Sequence, residues 1–432
     1  MSNSKNDLAW EQLFRGHNIE EEVEKNGFYR IESTEINRYR ETRLMTKFDY
    51  RSQLPKVFKE TGFSILPVSR GGYIISSIET FKDFENNEVE VVKAGFPIHL
   101  ESIDFNNITS ESTALHCAYL SGIIEHFTGE EKLQPTVSGR MGSSAFEFNI
   151  DSGKGLLQVE VENSQIEIDG GYEGLHSLSL IEAKSSISKD FLIRQLFYPY
   201  RLWEAKVTKK VRPLFLTYTN GVFHFREYTF EDPFYYNSLR LLREKKYVLR
   251  DGAISFELIE KALNSTQIIA EPPIPFPQAD SFERIINLLE ILKAEIQLSK
   301  EDLLQNYDFT LRDSFDPRQV DYYMNAGRYL GLIEKEKDNG ETVYSLTGEG
   351  ESLFRLSITN RQVKFIELIL SHLVFKRVLE HCFRNGRKPE RQEVVAIMKE
   401  SNVYKVESES TFFRRASTVI KWVDWILNQV EG

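Results

Sequence analysis

The stretch QIEIDGGYEGLHSLSLIEAK, from Gln165 to Lys184, carries residue types at spacings that suit phosphodiester chemistry. Residues 165–169 alternate polar and apolar, the period of a strand with one buried face. Gly170, Gly171 and Gly174 supply freedom in φ, so a glycine-rich reversal is expected after Asp169. Residues 178–184 read as a second strand. Side chains at i and i+2 share a strand face, so Glu182 and Lys184 point one way and Ala183 the other. With Asp169 closing the first strand beside them, two carboxylates and one ammonium meet on one surface. Magnesium takes hard oxygen ligands and keeps several waters. Asp169 and Glu182, with the Ala183 carbonyl as a third ligand, are the expected metal ligands. Bound Mg²⁺ lowers the pKa of a water and screens charge building on a phosphate during in-line displacement. Lys184 is expected to orient that water or to stabilise the anionic transition state.

Asp169 with Glu182-Ala183-Lys184 resembles the PD-(D/E)XK nuclease signature. Ile168 stands where the motif's name has proline, a position that often departs in this superfamily. The context fits the resemblance: the triplet ends an apolar strand, follows a glycine-rich hairpin and precedes an amphipathic helix. The resemblance implies a mixed α/β fold with a restriction-endonuclease-like core. In that core the first helix can supply another acid to the metal. Residues 112–127 read as that helix, and Glu125 is the acid carried over. A glutamine-tyrosine element on the later helix is known in several lineages. Gln195 is carried over from it as a catalytic residue, although Tyr198 and Tyr200 do not reproduce the common spacing.

The chain has 432 residues, more than one ordinary core accommodates, so several domains are expected. Hydrophobic residues at 41% and charged residues at 28% are ordinary for a soluble globular protein. No apolar run approaches the roughly 20 residues of a membrane span, and the polar N-terminus has no signal-peptide core. No membrane partner is expected. Cys117 and Cys382 lie far apart and make neither a disulfide framework nor a zinc spacing, so a cytoplasmic setting is the default. The net charge of −11 argues mildly against nucleic-acid binding. Binding needs only a local basic stripe, however, and a metal-dependent site is itself acidic.

Four modules are read along the chain. Residues 1–111 form an N-terminal DNA-recognition module, in which Arg43, Lys47, Arg51 and Arg70 lie among aromatic and amide side chains suited to phosphate and base-edge contact. Residues 112–270 are the nuclease core. It opens on the helix at 112–127 and then a loop at 135–144 with Arg140 as a phosphate contact. A hairpin at 146–162 is expected to join the central sheet. Strands at 212–219 and 222–228 are joined by Asn220-Gly221, a strong hairpin signal, and residues 236–265 read as helical and connective. A proline-dense linker at 271–277 closes the core. Residues 278–356 read as a winged helix, with Asp316-Pro317 opening a recognition helix that carries Arg318, Gln319, Tyr322 and Arg328. Residues 357–432 are helical and locally basic, with Arg414, Arg415, Thr418 and Lys421 on a second recognition helix.

The layout resembles a type II restriction endonuclease. The resemblance implies Mg²⁺-dependent cleavage of double-stranded DNA at a defined site, and a homodimer where that site is palindromic. Three other readings stay open: a PD-(D/E)XK enzyme of repair or defence, a DNA-binding regulator with an inactive core, and an α/β protein whose helical modules bind protein.

Overall fold

The computed structural model describes residues 4–85, 87–97, 99–249, 252–307, 318–338 and 340–430. A mixed sheet of seven strands lies at its centre. The strands are β1 (Val91–Ala94), β2 (Gln134–Gly142), β3 (Gln165–Glu173), β4 (Ser177–Lys184), β5 (Lys210–Thr219), β6 (Val222–Phe230) and β7 (Leu239–Leu249), in the order β1-β7-β6-β5-β4-β3-β2. Helix α1 (Glu111–Leu120) precedes β2, and α2 (Arg194–Glu204) lies between β4 and β5. β4 is antiparallel to β3 and parallel to β5. Parallel neighbours need a crossover connection, and α2 lies within it.

β4 is buried along nearly its whole length, as a strand covered on both faces must be. Its two faces feed different cores. Ile181 and Ala183 pack with Leu115 and Ala118 of α1, whereas Leu178 and Leu180 pack with Leu196 and Phe197 of α2. Alternation therefore turns Glu182 and Lys184 toward the α2 side.

Several local readings change. Gly170 and Gly171 lie inside β3, and the reversal falls at Gly174-Leu175-His176. These two glycines do not have positive φ; they permit close approach instead. A Cβ at Gly171 would lie 2.6 Å from the Cβ of Val137 on β2, so a side chain there would push the edge strand away. Residues 135–144, read as a loop, contain most of that edge strand, whose exposure and irregular register hide its period. The hairpin Phe146–Ser152 and Gly155–Val161 forms a separate two-stranded sheet rather than joining the central one. The helix expected at 112–127 breaks at Gly122, whose φ of 70° ends one helix and starts the next, Ile123–Thr128. Residues 239–249, inside the 236–265 stretch read as helical and connective, are β7. Cross-strand ion pairs, Arg243 with Glu227 and Glu244 with Arg226, use that strand's charges on a sheet.

The N-terminal helices and the small sheet of residues 29–76 share a core with Leu192, and this core ends near Phe81. β1 already belongs to the central sheet, so the boundary read at 111 falls too late. Past β7, the amphipathic helix Phe256–Ser265 buries Ile259, Ala262 and Leu263 in the C-terminal core. The stretch at 271–277 is not a free linker: Phe276 stacks on Phe375 and meets Tyr329 edge-on. Helices α3 (Phe282–Glu295), α4 (Lys300–Asn306) and α5 (Arg318–Tyr329) then lead to the hairpin Ile333–Asp338 and Glu341–Leu346. That is the element order read from the sequence. Asp316 and Pro317, and Asn339 of the hairpin turn, lie outside the described residues. The last long helix, α6 (Glu409–Leu427), packs in the same core as α3 and α5, so residues 278–356 and 357–432 are not separate packing units. Among the described residues, no helix is long and apolar enough to cross a membrane.

Candidate active site

The antiparallel ladder of β3 and β4 ends with Ile181 opposite Gly170. Asp169 and Glu182 are the next residues of the two strands beyond that last pair. There the Asp169 carboxylate accepts the Ala183 N–H at 2.8 Å. Glu182 Oε1 accepts from Lys184 Nζ at 2.6 Å and from Gln195 Nε2, on the first turn of α2, also at 2.6 Å. The four residues Asp169, Glu182, Lys184 and Gln195 are thus gathered at one end of the sheet. A small cavity lined by Ile168, Glu182, Gln195 and Pro199 opens beside them.

Two further acids join this set, and neither was singled out in the sequence. Asp49, from the N-terminal module, accepts from Gln195 Nε2 at 3.3 Å, and its Oδ2 lies 4.0 Å from Lys184 Nζ. Glu111 opens α1, takes a backbone hydrogen bond from Ser185 and interacts with the charges of Lys184, Asp169 and Asp49. Glu125, the acid expected from the first helix, is exposed on the helix after the Gly122 break. The reason is geometric: α1 meets the sheet with its N-terminal end at the carboxylates, so the acid comes from its first turn. Ser110, which caps α1 from its side chain, was the usable signal, because an acid in a capped first turn sits at the end of the helix.

The electrostatics are unbalanced. Four carboxyls, from Asp49, Glu111, Asp169 and Glu182, gather around the ammonium of Lys184. Burial is the largest influence on Glu182, and with the charges of Asp169 and Asp49 it outweighs Lys184, so the pKa rises to about 8. Burial likewise raises Asp169 and Glu111. Burial alone would lower Lys184, but the charges of Glu182, Asp49 and Glu111 override it and hold the ammonium well above the lysine range. Glu182 and Lys184 therefore move in the same direction although they are paired. Excess negative charge favours the protonated form of both.

Among the described residues, no group of three or more His, Cys, Asp or Glu side chains is arranged to hold a metal on its own. Magnesium is commonly held by one or two carboxylates, with waters and substrate phosphate completing the shell. A two-carboxylate set fits that requirement. Gln195 Oε1 is buried without a hydrogen-bond partner among the described residues, and it adds a hard oxygen in need of a ligand. The donor chemistry therefore fits a small divalent cation.

The chain matches three family models, each described only as a domain of unknown function. They are DUF6996 over residues 7–75, DUF6997 over 76–248 and DUF7226 over 284–431. No curated protein and no solved structure matches the chain. Asp49 falls in the first matched stretch, while Glu111, Asp169, Glu182, Lys184 and Gln195 fall in the second. The third also reaches the site. Asn287 of α3 donates to the Ser185 carbonyl at 2.9 Å and accepts the Ile187 N–H at 3.1 Å, bracketing the segment that follows Lys184.

The residues expected to touch DNA are scattered. Arg43 and Arg70 are exposed. Lys47 is exposed and lies 4.0 Å from the Asp49 carboxylate, above the site. Arg51 is engaged by acids, with Asp83 at 2.7 Å, Asp190 at 3.1 Å and Glu79 at 3.2 Å. Arg140 pairs with Glu167 at 3.2 Å across β2 and β3. On α5, Arg318 is exposed, Gln319 and Tyr322 are half-buried, and Arg328 donates to Asn325 at 3.0 Å. On α6, Arg414 and Lys421 are exposed, whereas Arg415 turns in to Gln278. Thr418 is fully buried and donates to Asp280 at 2.7 Å. It closes the fold rather than facing a groove, because α6 presents that side to residues 278–280. Thr418→Val is accordingly expected to cost about 1 kcal/mol by removing the hydrogen bond to Asp280, while duplex affinity by anisotropy stays that of the parent protein.

Proposed function

We propose that the protein is a Mg²⁺-dependent endodeoxyribonuclease of the PD-(D/E)XK kind. The observation that carries this reading is the convergence of Asp169, Glu182 and Lys184 on paired strands, with Gln195 against Glu182. Asp169 and Glu182 would hold the cation, with the Ala183 carbonyl as a further oxygen. When bound, Mg²⁺ would supply Lewis acidity toward a phosphate and a more acidic water. Lys184, kept charged by its acidic surroundings, offers a fixed cation to an anionic, five-coordinate phosphorus transition state. Charge stabilisation placed in advance lowers the barrier most in a site shielded from water, and Lys184 is 13% exposed. Gln195 holds Glu182 from the α2 side and so limits its rotamers.

Sequence-specific, type II restriction cleavage of double-stranded DNA by a homodimer is the narrower form of this reading. It rests on the modular layout and on the exposed basic side chains Arg43, Lys47, Arg70, Arg318, Arg414 and Lys421. The test is incubation of the purified protein with plasmid and Mg²⁺. Discrete fragments support restriction cleavage. A smear supports a nuclease without site preference, and shifted but intact DNA supports a DNA-binding protein without nuclease activity.

A further inference from the structure

We propose that Asp49 is a positioning residue of this centre, holding Lys184 and Gln195 in place so that the N-terminal module completes the site. The inference rests on the nuclease reading.

Three consecutive residues of the N-terminal module are fastened to the segment between β4 and α2. The Asp49 carbonyl accepts the Leu192 N–H at 3.1 Å. The Tyr50 hydroxyl and the Ser186 hydroxyl share a hydrogen bond of 2.8 Å, and the Arg51 N–H donates to Asp190 at 3.0 Å. Tyr50 is 2% exposed, and Gln53 Oε1 accepts the N–H groups of both Asp49 and Tyr50. The backbone bearing Asp49 is thus fixed from both sides, as a wall of the site.

From that wall the carboxylate reaches the same two donors that Glu182 engages, Lys184 Nζ and Gln195 Nε2. In the nuclease reading a cation draws on the charge of the Glu182 carboxylate, and its hold on both donors at Oε1 weakens. Lys184 has a flexible four-carbon stem, and its ammonium stays in place only if a second anion retains it. Asp49 is that anion. Its own exposed neighbour Lys47, also at 4.0 Å, supplies part of the counter-charge for Asp49. A misplacement of about 1 Å in a group that acts on the transition state costs about 100-fold in rate. Loss of Asp49 should therefore act on turnover rather than on binding.

The experiment compares the wild-type protein with Asp49→Asn, Asp49→Glu and Lys184→Ala. It measures kcat and KM for plasmid cleavage with Mg²⁺, duplex affinity in Ca²⁺, and Tm. The expected result is a fall in kcat of about 100-fold for Asp49→Asn with KM nearly unchanged. Ca²⁺-supported affinity and Tm should hold, and Asp49→Glu should recover about tenfold by restoring the anion. If Asp49→Asn cuts as fast as wild type while Lys184→Ala does not cut, the positioning role is overturned and the nuclease reading stands. A loss for Asp49→Asn that comes with lower Tm and weaker duplex binding, and that Asp49→Glu does not recover, makes Asp49 a structural tie and also overturns it. If the wild-type protein does not cut, both readings fall together.

Discussion

Lys184→Ala is expected to abolish Mg²⁺-dependent cleavage and, in the same protein, to destabilise the metal-free fold. The first effect follows from removing the fixed cation of the centre. A loss of at least about 1,000-fold in kcat is expected, the scale seen when one preorganised charge-stabilising group is removed. The second follows from charge balance. Lys184 lies 2.6 Å from Glu182 with Asp169, Asp49 and Glu111 around it. Taking away one partner of a buried pair leaves uncompensated charge, at a cost of about 3 kcal/mol. The ammonium's contribution is complete below its ordinary pKa of 10.5 and is lost only as pH rises through its raised folded value. Between about pH 5 and about pH 9 any pH dependence of the deficit therefore reports the carboxyls. They protonate on acidification, and the deficit should shrink. Denaturant titration in EDTA reads this, and duplex affinity in Ca²⁺ separates it from a failure to bind. Undiminished cutting by Lys184→Ala would remove the basis for the nuclease reading.

The site was legible in the sequence where its parts are local. Asp169, Glu182 and Lys184 were singled out because strand alternation fixes which residues share a face, and Gln195 through the family resemblance. The glycines were misread because glycine serves both reversals and close backbone approach, and only the Val137 contact separates the two uses. β7 was missed because long charged side chains favour helices in isolation, while Arg243 and Glu244 find cross-strand partners only once the sheet exists. Asp49 had no local signal. It lies far from Glu182 in sequence, and its role depends on how two separately matched stretches dock. Thr418 shows the converse. The polar face of α6 resembled a groove-reading surface because sequence does not tell an open face from one covered by residues 278–280.

In the nuclease reading, Glu182→Gln should abolish Mg²⁺-dependent cleavage yet stabilise the metal-free protein. An unfolded glutamic acid titrates near 4.5, whereas burial and neighbouring acids raise Glu182 in the fold to about 8. Between those values the folded state keeps a proton that the unfolded state has released, so stability must fall as pH rises from about 4.5 to about 8. A neutral amide removes that penalty. Lys184 keeps Asp49, Asp169 and Glu111 as counter-charges, so its own burial stays compensated. In EDTA, Glu182→Gln and the parent protein should melt nearly together at about pH 5, and the variant should be the more stable by about 1–3 kcal/mol at about pH 9. Added Mg²⁺ should reverse the ranking. Ligand at about 100 times its Kd stabilises a folded protein by about 2.7 kcal/mol, and only the chain with both carboxylates should gain it. The two melting curves would then cross as Mg²⁺ is added. Parallel curves, or a variant less stable than the parent at high pH, would mean that Glu182 is held as a structural ion pair with Lys184 rather than kept under strain for a cation.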